Sequence, residues 1–274
     1  ARGTWAKTGQ SKANFTRKST KKERAMSSLE GKIIRVTGAA RGIGAAIAEN
    51  LSYSAEALVQ TDLADMCADL SCPVETIRAD LSDPNASPRI IAAALERFGR
   101  IDGLVNAAGL TTRGSFLAPD PSLFDHLLAV NARAPYQLMS GAITDMRGRS
   151  APGSIVNIQS INAHCGASDL AIYAASKGAL QTLTKNAAQA HMTDHIRVNG
   201  INLGWADTET ERHLHDVTLG KGTGWLTKQG LDLPLGRLIS ADDAARLTAY
   251  LLSDASAPLT GAAIDLEQKI VGAP

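Results

Sequence analysis

From Gly31 onward the apolar positions follow two rhythms in turn. Short β-branched or small-residue runs of four to six residues alternate with longer stretches whose apolar positions recur three and four residues apart. The strand-like runs are Lys32–Thr37 (KIIRVT), Ala57–Thr61, Glu75–Ala79, Gly103–Asn106, Ser154–Gln159 (SIVNIQ), Ile196–Ile201 and Ala262–Leu266. The helical stretches are Gly42–Ser54, Ser87–Phe98, Ser122–Met146, Ala171–His191 and Ala241–Leu252. Pro135 must kink or interrupt the third of them. Regular alternation of this kind implies right-handed βαβ units and a parallel sheet. The expected fold class is α/β: a doubly wound parallel sheet of about seven strands with helices on both faces. No repeat or linker divides the body, so residues 26–274 read as a single domain. Arg35 breaks the pattern inside the first strand and is expected to reach solvent near a sheet edge.

Composition adds little to this picture, but charge does. Hydrophobic residues make up 44% of the 274 and charged ones 20%, values ordinary for a globular protein. The formal net charge is +1. Eight of the 28 basic residues and one of the 27 acidic ones fall within residues 1–25, which leaves 20 bases against 26 acids in the rest. The body is therefore mildly acidic and no nucleic-acid partner is expected. The stretch 1–25 is polar and has no apolar core, so it reads as a disordered basic tail, a transit-like peptide, or a non-native extension upstream of a start at Met26. No run of 18 apolar residues exists, and no membrane span is expected. Cys67, Cys72 and Cys165 show no paired or metal-ligand spacing, which suggests free thiols and a cytoplasmic setting.

The first candidate for chemistry is Thr37–Gly44, TGAARGIG, which directly follows the first strand and opens a helix. In that context Gly38 permits a tight turn, Gly42 lets backbone approach a pyrophosphate, and Gly44 lets helix and strand pack. The helix N-terminus, with Ile43 in its first turn, then faces the phosphate charge. Asp62 ends the second strand, where a carboxylate accepts from both ribose hydroxyls and repels a 2′-phosphate. Arg41 argues the other way, because a guanidinium there pairs with that phosphate. The balance favours NAD, with NADP possible. Asp80 and Leu81 follow the third strand, at the expected adenine position, and Asn106–Gly109 (NAAG, including Ala107) follow the fourth. Small residues there keep a groove open, and Asn106 is placed to bridge strand ends.

The second candidate is Tyr173 with Lys177, Y-x-x-x-K in YAASK, which share one helix face. A tyrosine is a poor base at neutral pH unless a nearby positive charge stabilises its phenolate. Ser160 closes the fifth strand thirteen residues earlier, at the carboxyl edge of the sheet where ligands of open α/β folds gather. Its hydroxyl is suited to holding a substrate oxygen against Tyr173. Asn131 lies within a predicted helix where its propensity is poor. Two roles fit it, a cap on a local kink or a holder of a water linking Lys177 to solvent.

Taken in order, TGAARGIG, Asp62, Asp80–Leu81, NAAG, Asn131, Ser160 and YAASK resemble the short-chain dehydrogenase/reductase family in its shorter, single-domain form. The resemblance spans about residues 29–267. It implies a Rossmann-like seven-stranded sheet and a homotetramer or homodimer. It also implies a tetrad in which Tyr173 is general acid/base, Ser160 orients substrate, Lys177 lowers the tyrosine pKa and binds the nicotinamide ribose, and Asn131 supports a relay water. Leu203 stands where the family has proline, although Gly204 and Thr208 keep the G-x-x-x-T spacing that places Thr208 near the carboxamide. The ending LEQKIVGAP also departs from the family's glycine pair.

These features define an NAD(P)-dependent oxidoreductase acting between a nicotinamide and a secondary alcohol or ketone. The segment Asp207–Leu231 is expected to cover the pocket. With Trp205, His213, His215 and Trp225 nearby, it suits a small polyol, sugar or hydroxy compound better than a steroid or long acyl chain. At i and i+2 the two histidines point apart, so they read as surface residues and no metal site is expected. Two alternatives are a catalytically silent NAD(P)-binding regulator, disfavoured by the intact tetrad, and a nucleotide-sugar epimerase, disfavoured by the short stretch after the sixth strand.

Overall fold

The computed structural model describes residues 28–114, 116–164 and 167–269. The basic tail, Met26 and Cys165 are outside the described residues. The main sheet has seven strands, all paired in parallel: β1 (Ile33–Thr37), β2 (Ala57–Asp62), β3 (Val74–Arg78), β4 (Gly103–Asn106), β5 (Gly153–Ser160), β6 (Ile196–Leu203) and β7 (Ala263–Leu266). Their order is β3-β2-β1-β4-β5-β6-β7. The chain therefore winds outward from β1 in one direction, returns to β4, and winds outward in the other. The point where the direction reverses, between β1 and β4, opens a crevice at the carboxyl ends of the strands.

Helices cover both faces. On one, α1 (Gly42–Ser52) and α8 (Ala241–Leu252) pack on Ile34, Val36, Leu58, Val105, Val156 and Ile201. On the other, α2 (Ala86–Phe98) and α4 (Ala134–Gly148) pack on Val59, Leu104, Ile155 and Val198. This division follows from strand alternation, since neighbours along a strand point to opposite faces. Local chemistry sets the ends. Gly99 closes α2 in the left-handed region at φ 75°. Ser240 and Asp243 form a reciprocal capping box on α8. Asp120 accepts from the Ser122 and Leu123 amides to start α3 (Pro121–Leu128).

Three details differ from expectation. The helix foreseen over Ser122–Met146 is interrupted before Pro135 rather than at it: α3 ends at Leu128, Ala129–Arg133 form a π-helical turn, and α4 begins at Ala134. Proline has no N–H, so the carbonyl of Asn131 loses its i+4 donor and the winding loosens upstream. Arg35 does not reach solvent. β1 is a central strand, and the side chain is fully buried. His215 is not a surface residue either. It is 5% exposed, while His213 is exposed. The covering segment comprises α6 (Glu209–His213), a second π turn over Leu214–Thr218, and α7 (Trp225–Leu231), and that winding turns His215 inward. α5 (Ala171–Ala190) follows the expected range closely.

The two edges of the sheet are treated differently. At the amino edge Asp102 accepts from the Ile33 amide, Arg100 and Arg149 and ties β1 to the neighbouring loops. The carboxyl edge holds the residues with chemistry.

Candidate active site

The turn after β1 is built for close approach. Gly38 has φ 69°, and a Cβ there would stand 2.7 Å from the Ala108 backbone. A Cβ at Gly44 would overlap the Gly38 carbonyl, so α1 rests directly on the turn. Thr37 holds the opposite wall: its Oγ1 accepts from the Ala107 and Ala108 amides, both at 3.1 Å. Gly42, Ile43 and Gly44 form the first turn of α1, and Arg41 at the N-cap makes no side-chain cap. The first amides of the helix therefore keep their donors for an anion. These features fit a dinucleotide pyrophosphate.

Asp62 lies beside that turn. One carboxylate oxygen accepts from the Ala40 amide at 3.0 Å, and the other accepts from the Leu63 and Ala64 amides. Arg41 is exposed next to it. Asp80 is fixed by the Ser82 amide, which with the Ser82 hydroxyl holds its carboxyl below the usual range. Leu81 joins the core. Asn106 bridges β4 to β5 by donating to Asn157 at 2.8 Å, and its own Oδ1 is buried without a partner among the described residues.

Ser160, Tyr173 and Lys177 meet at the carboxyl end of β5. Tyr173, Ser176 and Lys177 share the buried face of α5. The Ser160 hydroxyl stands near enough to the Tyr173 phenol to influence its titration. Burial pushes that phenol above its usual range, the Ser160 hydroxyl draws it back, and the charge of Glu211 pushes it up. Lys177 donates to the Ile158 carbonyl at 2.9 Å, and its Nζ is 5.9 Å from the Tyr173 ring centre. Burial lowers its pKa to about 8. Gly109 lies against it, with a Cβ position 3.2 Å from Nζ. Asn131 sits in the π turn. Its Oδ1 accepts from the Leu110 amide, and its Nδ2 donates to the Leu110 carbonyl and to Ser176 Oγ, all at 2.9 Å. Ser176 in turn donates to the Tyr173 carbonyl at 2.7 Å. Asn131 thus ties the loop after β4 to the helix that carries Tyr173.

Sequence reasoning missed several supports. Thr37, Ser176 and Thr184 carry common residue types that gain meaning only from three-dimensional partners. Thr184 accepts from both Asn157 and Gln159 at 2.8 Å, which gives a partner to the amide nitrogens of two polar side chains buried in β5. The signal for these was visible as the polar letters of SIVNIQS in a strand with no exposed face. Thr208 caps α6 by accepting from the Glu211 amide at 3.2 Å. Glu267 replaces the expected glycine pair with a function. It accepts from the Trp205 and Gln268 amides, and its carboxylate fills the place where a Cβ at Gly204 would lie. Farther along, His164 Nε2 pairs with Asp265 at 2.8 Å, and Asn202 donates to the same oxygen, joining the loop after Ser160 to β7. Among the described residues no His, Cys, Asp and Glu cluster is arranged to hold a metal.

A doubly wound sheet with a glycine cradle at its switch point and Ser, Tyr and Lys converging beside it defines an NAD(P)-dependent alcohol/ketone oxidoreductase. Residues 38–267 match the family model described as enoyl-(acyl carrier protein) reductase. Bovine L-xylulose reductase is 31% identical over 255 residues, covering 87% of this chain and 96% of that protein. An L-rhamnose 1-dehydrogenase (NAD(P)(+)) from a Sphingomonas strain is 30% identical over 249 residues, covering 87% and 96%. The solved aldohexose dehydrogenase of Thermoplasma acidophilum in ligand-free form superposes with a TM-score of 0.80 at 27% identity, covering 87% of this chain and 93% of that one. The chain belongs to the short-chain dehydrogenase/reductase family. No described helix is long and apolar enough to cross a membrane.

Proposed function

We propose that this protein interconverts a secondary alcohol and its ketone on a small polyol, sugar or related hydroxy compound, with NAD preferred and NADP second. The observation that carries the reading is the convergence of Ser160 at the end of β5 with the buried Tyr173 and Lys177 of α5, Lys177 donating to the Ile158 carbonyl two residues before Ser160, next to the Gly38–Gly44 cradle. The substrate oxygen would take the place between the Ser160 and Tyr173 hydroxyls. In reduction Tyr173 gives its proton to that oxygen, and burial keeps the phenol protonated until then. In oxidation Tyr173 takes the proton, and the Lys177 ammonium and a positive nicotinamide ring both favour the phenolate. When bound, the nicotinamide supplies or accepts the hydride. Lys177 and Thr208 are the residues assigned to its ribose and carboxamide, and Asp62 to the adenosine ribose. Pro135 removes the i+4 donor of the Asn131 carbonyl, which suits that oxygen to a water linking Lys177 to solvent.

The preference for NAD rests on Asp62, whose carboxylate is held in place by three backbone amides, where it would repel a 2′-phosphate. The relatives named for sugars support the substrate class. We further propose a single catalytic domain over residues 26–274, a homotetramer or homodimer, and a cytoplasmic setting. Reduced-nicotinamide formation from a panel of polyols and sugars, with NAD and NADP in parallel, tests the assignment. Turnover with NAD supports it, and preference for NADP overturns the role given to Asp62.

A further inference from the structure

The covering segment carries a carboxylate that the proposed chemistry does not use. Glu211 lies in the first turn of α6. Its Oε1 accepts from Trp205 Nε1 at 2.8 Å and meets His215 Nε2 at 3.0 Å. Because that nitrogen faces a carboxylate, it carries the proton. His215 is locked in turn, stacked on Trp225 at 4.6 Å between ring centres and tilted against Trp205 at 5.6 Å. Lys221 stands over Trp225 at 3.7 Å, and Arg212 is paired with Asp207. The arrangement fixes one oxygen of Glu211 firmly. Its Oε2 has no hydrogen-bond partner among the described residues, and the side chain keeps 25% of its surface exposed.

Position gives this free oxygen its meaning. In the β5–β6 register Ser160 pairs with Leu203, so Gly204 and Trp205 lie immediately past the catalytic serine. Thr208, which caps α6, approaches the glycine cradle, with its Cγ2 3.7 Å from where a Cβ on Gly42 would be. The Tyr173 phenol senses the charge of Glu211.

We propose that Glu211 is a specificity-determining residue: its carboxylate, held by Trp205 and His215 on the segment that follows the strand partner of Ser160, favours substrates with a hydroxyl or cationic group next to the reacting carbinol and disfavours those with a carboxylate there. The inference rests on the oxidoreductase reading and sharpens it. A hydroxyl or ammonium donates to Oε2, whereas a substrate carboxylate meets like charge in a site shielded by aromatic rings, where repulsion is stronger than in water. Hydroxy acids are thereby separated from neutral polyols.

Propylene glycol, isopropanolamine and lactate test it. They share a three-carbon skeleton and a secondary carbinol, and they differ only in the neighbouring group. Binding is read from Trp205 and Trp225 fluorescence in a Trp5→Phe background with saturating dinucleotide, and turnover from reduced nicotinamide. The wild type should prefer the glycol and the amine over lactate, and Glu211→Gln should shrink that gap by about tenfold. Glu211→Asp, which keeps the charge, should keep the order and also reports on folding. Equal discrimination in the wild type and Glu211→Gln, or a wild type that prefers lactate, overturns the proposal. Charge-ordered binding that Glu211→Gln abolishes, without turnover of any compound, upholds Glu211 as the selector and rejects the proposed turnover of small polyols instead.

Discussion

Burial acts on Tyr173 and Lys177 in the same direction, toward the neutral form. The phenol is raised and the ammonium is lowered to about 8. Residue types and spacing made both legible in the sequence, because Y-x-x-x-K puts two side chains on one helix face. Their environment was not legible, since the Ile158 carbonyl and the Ser160 hydroxyl reach them from another element. A lysine whose folded pKa lies below its usual 10.5 releases its proton first in the folded state. Stability is therefore penalised below about pH 8 and recovers as pH rises from there through 10.5. A shift of this size corresponds to roughly 3 kcal/mol. We expect Lys177→Met to lose activity and to be more stable than the wild type near neutral pH, with the gap closing at high pH. Denaturant unfolding of both proteins across that range checks this, and a gap that does not change with pH contradicts it.

At the scale of elements, the π turn at Ala129–Arg133 is the feature that sets the site's geometry. The sequence announced a break at Pro135 but not its form, because the lost hydrogen bond belongs to a carbonyl one turn upstream. The extra residue per turn brings the Asn131 side chain against Leu110 and Ser176. Pro135→Ala restores the donor and lets a regular α-helix run through. The expected result is an unchanged or higher melting temperature with kcat reduced about tenfold or more, as Asn131 rotates off its partners. Circular dichroism melts and initial rates measure the two effects. Unaltered kcat would show that the turn is not needed. Strand boundaries, by contrast, were read to within one or two residues, because β-branched runs end where glycine and polar residues begin.

For the whole molecule, strand order decides what alternation along one strand leaves open. The hydrophobic pattern gave seven strands and their parallel sense, but it does not say which strand is central. Arg35 shows the consequence. In β1 it is enclosed on every side, and among the described residues its one hydrogen-bond partner is Thr61 Oγ1 at 2.8 Å. Its Nε and Nη1 find no partner among the described residues, and burial lowers its pKa to about 9. A buried cation without a carboxylate weakens a fold. Arg35→Leu should stabilise the protein by on the order of 2 kcal/mol, read as a higher denaturant midpoint at constant slope. A lower midpoint would mean that the guanidinium holds the centre of the sheet together. Glu267 is a second case: the unusual chain end is explained only when β7 lies beside β6 and delivers its carboxylate to Trp205.

The central claim is that Tyr173 moves the proton. Wild-type protein and Tyr173→Phe should be compared in reduced-nicotinamide formation from a polyol substrate, with dinucleotide binding followed by thermal shift in both. The account predicts that the variant binds the dinucleotide normally and loses about 10²–10⁴-fold in kcat. Turnover retained at the wild-type rate, with binding intact, would contradict it.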